Sequence, residues 1–135
     1  MKKKIVLFYG SEYLKEDQVA WVVCDEIRSK LEIAGYVVEK TDNPDILISF
    51  EDKEYEDAII VDAAKGVKDV VELESISELC STSVSTLHGY NLGLVLQILN
   101  VVGGLPKLRI IAIPYGEKDI VSASRKVYSR IVQKK

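Results

Sequence analysis

Ala58-Ile59-Ile60-Val61, running into Asp62-Ala63-Ala64, is the stretch on which the fold turns. Its four consecutive apolar residues leave no polar face, so a strand here is buried on both sides, as in a parallel sheet covered by helices. Lys4 to Tyr9 reads the same way and is closed by Gly10, and Arg109 to Ile113 makes a further inner strand.

Between these strands the hydrophobic period changes. From Lys15 to about Ala34, Val19, Val23, Ile27 and Leu31 fall on one helical stripe with Val22 beside it, and Gly35 supplies a C-terminal stop. Leu92, Val95, Leu96, Leu99 and Val102 form a second stripe, with Leu94, Ile98 and Val101 making that helix apolar nearly all round and hence largely buried. Gly103-Gly104 and Pro106 end it. Ile120 to Val132 is a C-terminal helix with Val127 and Ile131 inward. Shorter strands are expected at Tyr36 to Lys40, Asp45 to Phe50 and Val67 to Leu73, with Thr41-Asp42-Asn43-Pro44 as a turn and Glu51 to Asp57 as a charged connector; Ile76 to Ser83 fits neither period. The alternation predicts a single α/β domain over residues 1–135, a three-layer α/β/α sandwich around a mainly parallel, twisted sheet of about five strands.

Composition narrows the function. A net charge of −3 spread over well-mixed acids and bases offers no basic stripe for nucleic acid. No segment has the length of a membrane span, and the apolar run after Lys2-Lys3-Lys4 is too short for a secretion signal. Cys24 and Cys80 stand far apart in no metal-ligand spacing, so reduced thiols and a cytoplasmic location are expected. Nothing in the chain specifies an oligomer, and a monomer is the expected state.

In open α/β sheets, ligands gather beyond the carboxyl ends of the strands. Three groups can meet there. The loop Gly10 to Asp17 carries Glu12, Glu16 and Asp17 into the first helix; Asp62 follows Val61; and His88, the one histidine in the chain, follows a Ser/Thr-rich loop. Ser85 or Thr86 is placed to cap the helix that follows, which would put His88 near a helix N-terminus, where a neutral imidazole is favoured. Two carboxylates and a neutral imidazole suit Ni²⁺ or Zn²⁺ with positions left open. The residues alone admit plainer roles: Asp17 as a helix-dipole partner, Asp62 as a turn cap, His88 as a structural side chain.

Three segments in order carry a resemblance to a known family. They are Gly10-Ser11 through Glu16-Asp17, Ile59-Ile60-Val61-Asp62-Ala63, and Ser85 to Leu94, with Gly103 to Pro106 and Arg109 to Pro114 downstream. Together these resemble the hydrogenase maturation proteases, aspartic-type endopeptidases that trim the C-terminal extension of a [NiFe]-hydrogenase large subunit. The resemblance implies that Asp17, Asp62 and His88 bind the metal and carry the catalysis. It also implies that the nickel arrives already installed in the large-subunit precursor, which is both substrate and partner. Ser11 stands where the family has asparagine and Gln18 where it often has glycine; the family's Asp-Gly-Gly turn and a Pro-Gly pair are missing. These departures fall in loops and leave the three ligands in place.

Other classes remain open on the residues. Phe8-Tyr9-Gly10-Ser11 before a helix resembles the phosphate loop of a flavodoxin-like module, although Glu12, Glu16 and Asp17 would repel a phosphate. A relative that binds a hydrogenase subunit or metal without cutting would look the same in sequence. Thiol hydrolysis by Cys80 with His88 has the residue types but no motif.

Overall fold

The computed structural model of the chain describes residues 3–10, 18–42, 55–65, 67–73, 85–86 and 107–133. Six strands lie among them: β1 (Lys3–Tyr9), β2 (Tyr36–Thr41), β3 (Tyr55–Lys65), β4 (Val71–Leu73), β5 (Ser85–Thr86) and β6 (Lys107–Pro114). Two helices accompany these, α1 (Val19–Ile33) and α2 (Ile120–Val132). The main path runs β2-β1-β3-β6-β4, with β5 attached to β3. β1 pairs in parallel with β2 and β3, and β3 with β6, whereas β4 and β5 run antiparallel to their partners. The sheet is open and mainly parallel, as expected.

Side chains alternate across a strand, and here both sides are dry. Val6, Phe8, Ile59, Val61, Ala63, Ile111 and Ile113 pack into one cluster with the buried stripes of α1 and α2. The intervening Ile5, Leu7, Tyr9, Ile60, Ile110 and Ala112 face the other way and are equally buried. Burial on both faces explains why these strands read as unbroken apolar runs. The expected strand at Asp45 to Phe50, the ambiguous Ile76 to Ser83 and the expected helix from Leu92 to Val102 lie outside the described residues.

α1 buries Val19, Ala20, Val23, Cys24, Ile27 and Leu31. Val22, expected beside that stripe, is 40% exposed. Gly35 ends the helix at φ +97°, a conformation L side chains rarely adopt. α2 starts where Asp119 Oδ1 accepts the Ser122 N–H at 3.1 Å. Its far end is held by tertiary contacts: the Arg109 guanidinium donates to the carbonyls of Arg130 and Ile131, and Tyr36 Oη donates to the Ile131 carbonyl at 3.1 Å. The same guanidinium sits 2.7 Å from Glu72 Oε1, so Arg109 ties β4, β6 and α2 together.

Four local expectations need correction. β3 begins at Tyr55, inside the stretch expected to be a connector, and runs past Val61 to Lys65. β4 is confined to Val71–Leu73, because Asp69 Oδ1 turns back to accept the Val70 N–H at 2.8 Å and also takes Lys126 Nζ at 2.7 Å. Ser85 and Thr86, expected in a Ser/Thr-rich loop, form strand β5; the helix they were expected to cap lies outside the described residues. Val22 is the fourth, a surface residue. Among the described residues, no helix is long and apolar enough to cross a membrane.

Candidate functional site

The carboxyl edge of the sheet is assembled around the end of β3. The β1 ladder with β3 stops at Phe8 opposite Val61, yet β3 continues. On its other side β6 accompanies it, Asp62 opposite Ala112, Ala63 opposite Ile113 and Ala64 opposite Pro114. Where β1 has ended, β5 takes its place, Thr86 opposite Ala64 and Ser85 opposite Lys65. Tyr115 then donates its N–H to the Ala64 carbonyl at 3.0 Å. Two chain segments, β5 on one side and β6 with its following turn on the other, thus flank one strand end.

Asp62 lies at this strand end with 0% exposure. Its parity with Ile60 and Ala64 turns it away from the helices α1 and α2. Oδ1 accepts the N–H of Ala63 at 2.8 Å, which fixes the carboxylate's orientation. Sequence reasoning placed Asp62 just beyond the strand and allowed it a turn-capping role; it stands within β3 instead. A carboxylate taken wholly out of water is costly unless its charge is met by a partner or cation, so burial singles Asp62 out from the acids on the surface.

Asp17 and His88 lie outside the described residues, and among the described residues no three His, Cys, Asp or Glu side chains are grouped to hold a metal. The structure nevertheless fixes their neighbours in sequence: Gln18 is the N-cap of α1, and Thr86, two positions before His88, is paired to the end of β3.

Trp21 was not singled out in the sequence, although it is the chain's one tryptophan and lies in the first turn of α1. Its Nε1–H donates to the Phe8 carbonyl at 2.9 Å. Its ring lies against Gly10, where an added Cβ would come within 2.8 Å of the indole carbons. Gly10 also donates its N–H to the Thr41 carbonyl at 3.0 Å. The glycine that the sequence read as a strand stop is thus also a seat for the indole. Lys40 Nζ stands 6.0 Å from the centre of the indole and 2.6 Å from Asp25 Oδ1.

A cleft of about 490 Å³ opens at this edge between the first turns of α1 and the turn after β6, lined by Gln18, Val19, Val22, Gly116, Lys118 and Ile120 among others. Cys24 is buried in α1, and burial, opposed by Arg28, pushes its thiol above the usual value; such a thiol is protonated and unreactive. Cys80 lies outside the described residues.

An open, mainly parallel sheet buried on both faces, with an inaccessible acid at the carboxyl end of its central strand, defines an α/β domain of the kind that gathers ligands beyond its strand ends. Its fold is that of the [NiFe]-hydrogenase maturation proteases. The chain superposes on the [NiFe] hydrogenase maturation protease HybD from Thermococcus kodakarensis with a TM-score of 0.66 at 21% identity, covering 97% of this chain and 99% of that one. It is similarly close to the hydrogenase maturating endopeptidase HybD from E. coli, with a TM-score of 0.66, 18% identity and coverage of 96% and 90%. The hydrogenase 2 maturation peptidase from Thaumarchaeota archaeon SCGC_AB-539-E09 gives a TM-score of 0.58 at 19% identity, covering 97% and 96%. No family model matches the chain, and no curated protein matches it by sequence.

Proposed function

We propose that this protein is a hydrogenase maturation endopeptidase. It removes the C-terminal extension of a nickel-loaded [NiFe]-hydrogenase large-subunit precursor, and the precursor's own nickel guides it to the cut. The observation that carries this reading is the complete burial of Asp62 at the carboxyl end of β3, in the fold shared with proteases of that name. Asp17, Asp62 and His88 are the protein's ligands to the metal and its catalytic groups.

The chemistry of the donor set supports the assignment. A carboxylate oriented by a backbone N–H, as Asp62 is by Ala63, has the outer hydrogen bond that ligating carboxylates commonly receive. Oxygen and imidazole donors suit a borderline ion such as Ni²⁺. With three ligands from the protease and the rest from the precursor, the ion joins enzyme to substrate. It supplies Lewis acidity, polarising the scissile carbonyl or a water. One of the two carboxylates would take the proton of the attacking water and return it to the leaving amine as the peptide C–N bond breaks.

The test is intact-mass spectrometry of a nickel-loaded precursor incubated with this protein. Wild type is expected to shorten the precursor by its C-terminal extension. Asp62→Asn is expected to slow the cut by about a hundredfold or more. A precursor that binds the wild-type protein yet keeps its full mass would identify a non-catalytic relative and overturn the proposal.

A further inference from the structure

Asp62 has a polar neighbour across the sheet. The ladder between β1 and β3 ends with Phe8 opposite Val61, so Tyr9 and Asp62 are the next residue on each strand. Tyr9 is still held in the sheet, opposite Thr41 of β2, and Asp62 is held opposite Ala112 of β6. Adjacent strands run about 4.8 Å apart. Alternation turns Tyr9 and Asp62 to the same side, away from α1 and α2, and both are 0% exposed. Their companions on that face, Leu7, Ile60, Ile110 and Ala112, are apolar. Among the described residues, the phenol and the carboxylate are the two fully buried polar side chains there, and they stand side by side. A phenylalanine ring, like that of Phe8, would fill the same space, and taking a hydroxyl out of water is costly. The hydroxyl of Tyr9 therefore serves something other than packing.

We propose that Tyr9 is a further catalytic residue of the Asp62 site: its phenol O–H donates to the oxygen of the scissile carbonyl bound beside that carboxylate. This deepens the endopeptidase reading and rests on it. As water adds to the carbonyl carbon, the C=O π electrons move onto the oxygen, and the phenol steadies that charge by a hydrogen bond without giving up its proton. The electrons return as the C=O reforms and the peptide C–N bond breaks. Away from water such a bond is electrostatically stronger than it would be in solvent.

Tyr9→Phe keeps the ring and removes one oxygen. With a nickel-loaded precursor followed by intact mass, it is expected to lower kcat about a hundredfold at nearly unchanged KM, the split left by losing a bond made only in the transition state. Tyr36→Phe takes a hydroxyl from the Ile131 carbonyl at the opposite end of the sheet and is expected to cut like wild type. Placement is read without substrate. In intact protein carrying ¹³C at tyrosine Cζ, the signal missing from Tyr9→Phe belongs to Tyr9, one of seven tyrosines, and Asp62→Asn is expected to move it more than any other. A Tyr9→Phe protein that cuts at the wild-type rate, or a Tyr9 signal indifferent to Asp62→Asn, would overturn the role and leave Asp62 as assigned. A wild type that leaves the precursor at full mass would instead remove the endopeptidase reading, and the role of Tyr9 with it.

Discussion

Thr86 and Ala64 are antiparallel partners at the carboxyl end of β3, on the flank that β1 has vacated. The pairing ties a distant segment to the strand that buries Asp62. Two residues of chain reach at most about 7 Å, so the link from Thr86 to residue 88 is short. His88 follows Thr86 by two positions and itself lies outside the described residues.

Gly10→Ala should be felt through Trp21. The new methyl would meet ring carbons at 2.8 Å, and neither the strand end nor the first turn of α1 can yield without losing the bond between Trp21 and Phe8. Overpacking of this kind costs about 1–3 kcal/mol. Denaturant unfolding should show that loss, with the emission of Trp21 already shifted to the red in the folded variant. Unchanged stability and emission would show that the indole does not rest on Gly10.

Arg109→Met should destabilise the domain more than an ordinary surface change. It removes the guanidinium from Glu72 and takes donors from the last carbonyls of α2. Breaking a largely buried pair by deleting one partner costs about 3 kcal/mol. The melt should report the loss, and hydrogen exchange should place the fraying in the last turn of α2. A loss below 1 kcal/mol, on the order of an exposed ion pair, would contradict the contact.

The pH dependence of one surface pair follows from its sign. The Lys126 ammonium, and after it the Val70 N–H, hold the Asp69 carboxyl below its ordinary value. A lowered folded-state pKa stabilises the fold above the usual carboxylate range, and the contribution is lost as pH falls through the folded value. Lys126→Met should thus be slightly less stable than wild type at neutral pH. The difference should close in acid and shrink in salt. A gap that persists unchanged in strong acid would rule out the pair as its source.

Cys24 behaves oppositely. Burial raises its thiol above the usual value, so the native state holds its proton more tightly than the unfolded chain, and the link costs stability as pH rises past the usual thiol value. In a Cys80→Ser background, Cys24 should resist alkylation at neutral pH until the protein unfolds. Rapid labelling of the native protein would contradict its burial.

What was legible in the sequence was local. α2 matches the expected bounds because Asp119 is a ready N-cap and Val127 and Ile131 keep the helical period. The end of α1 was marked by Gly35, whose φ is positive. β3 was cut short because an aspartate normally closes an apolar run, whereas here Asp62 is carried into the interior with its carboxylate on the next N–H. Ser85 and Thr86 suit a loop as well as a strand, and only the distant Ala64 and Lys65 decide between them. The same holds for Trp21 on Gly10 and Arg109 on Glu72: each joins residues whose proximity exists only once the sheet has formed.

The most direct measurement is a calorimetric Ni²⁺ titration of wild type against Asp17→Ala, Asp62→Ala and His88→Ala, each checked for folding. If the two carboxylates and the imidazole grip one ion, wild type binds a single Ni²⁺ and each substitution weakens it by about tenfold or more. Equal affinity in all four proteins would contradict the shared site and, with it, the nickel-guided protease.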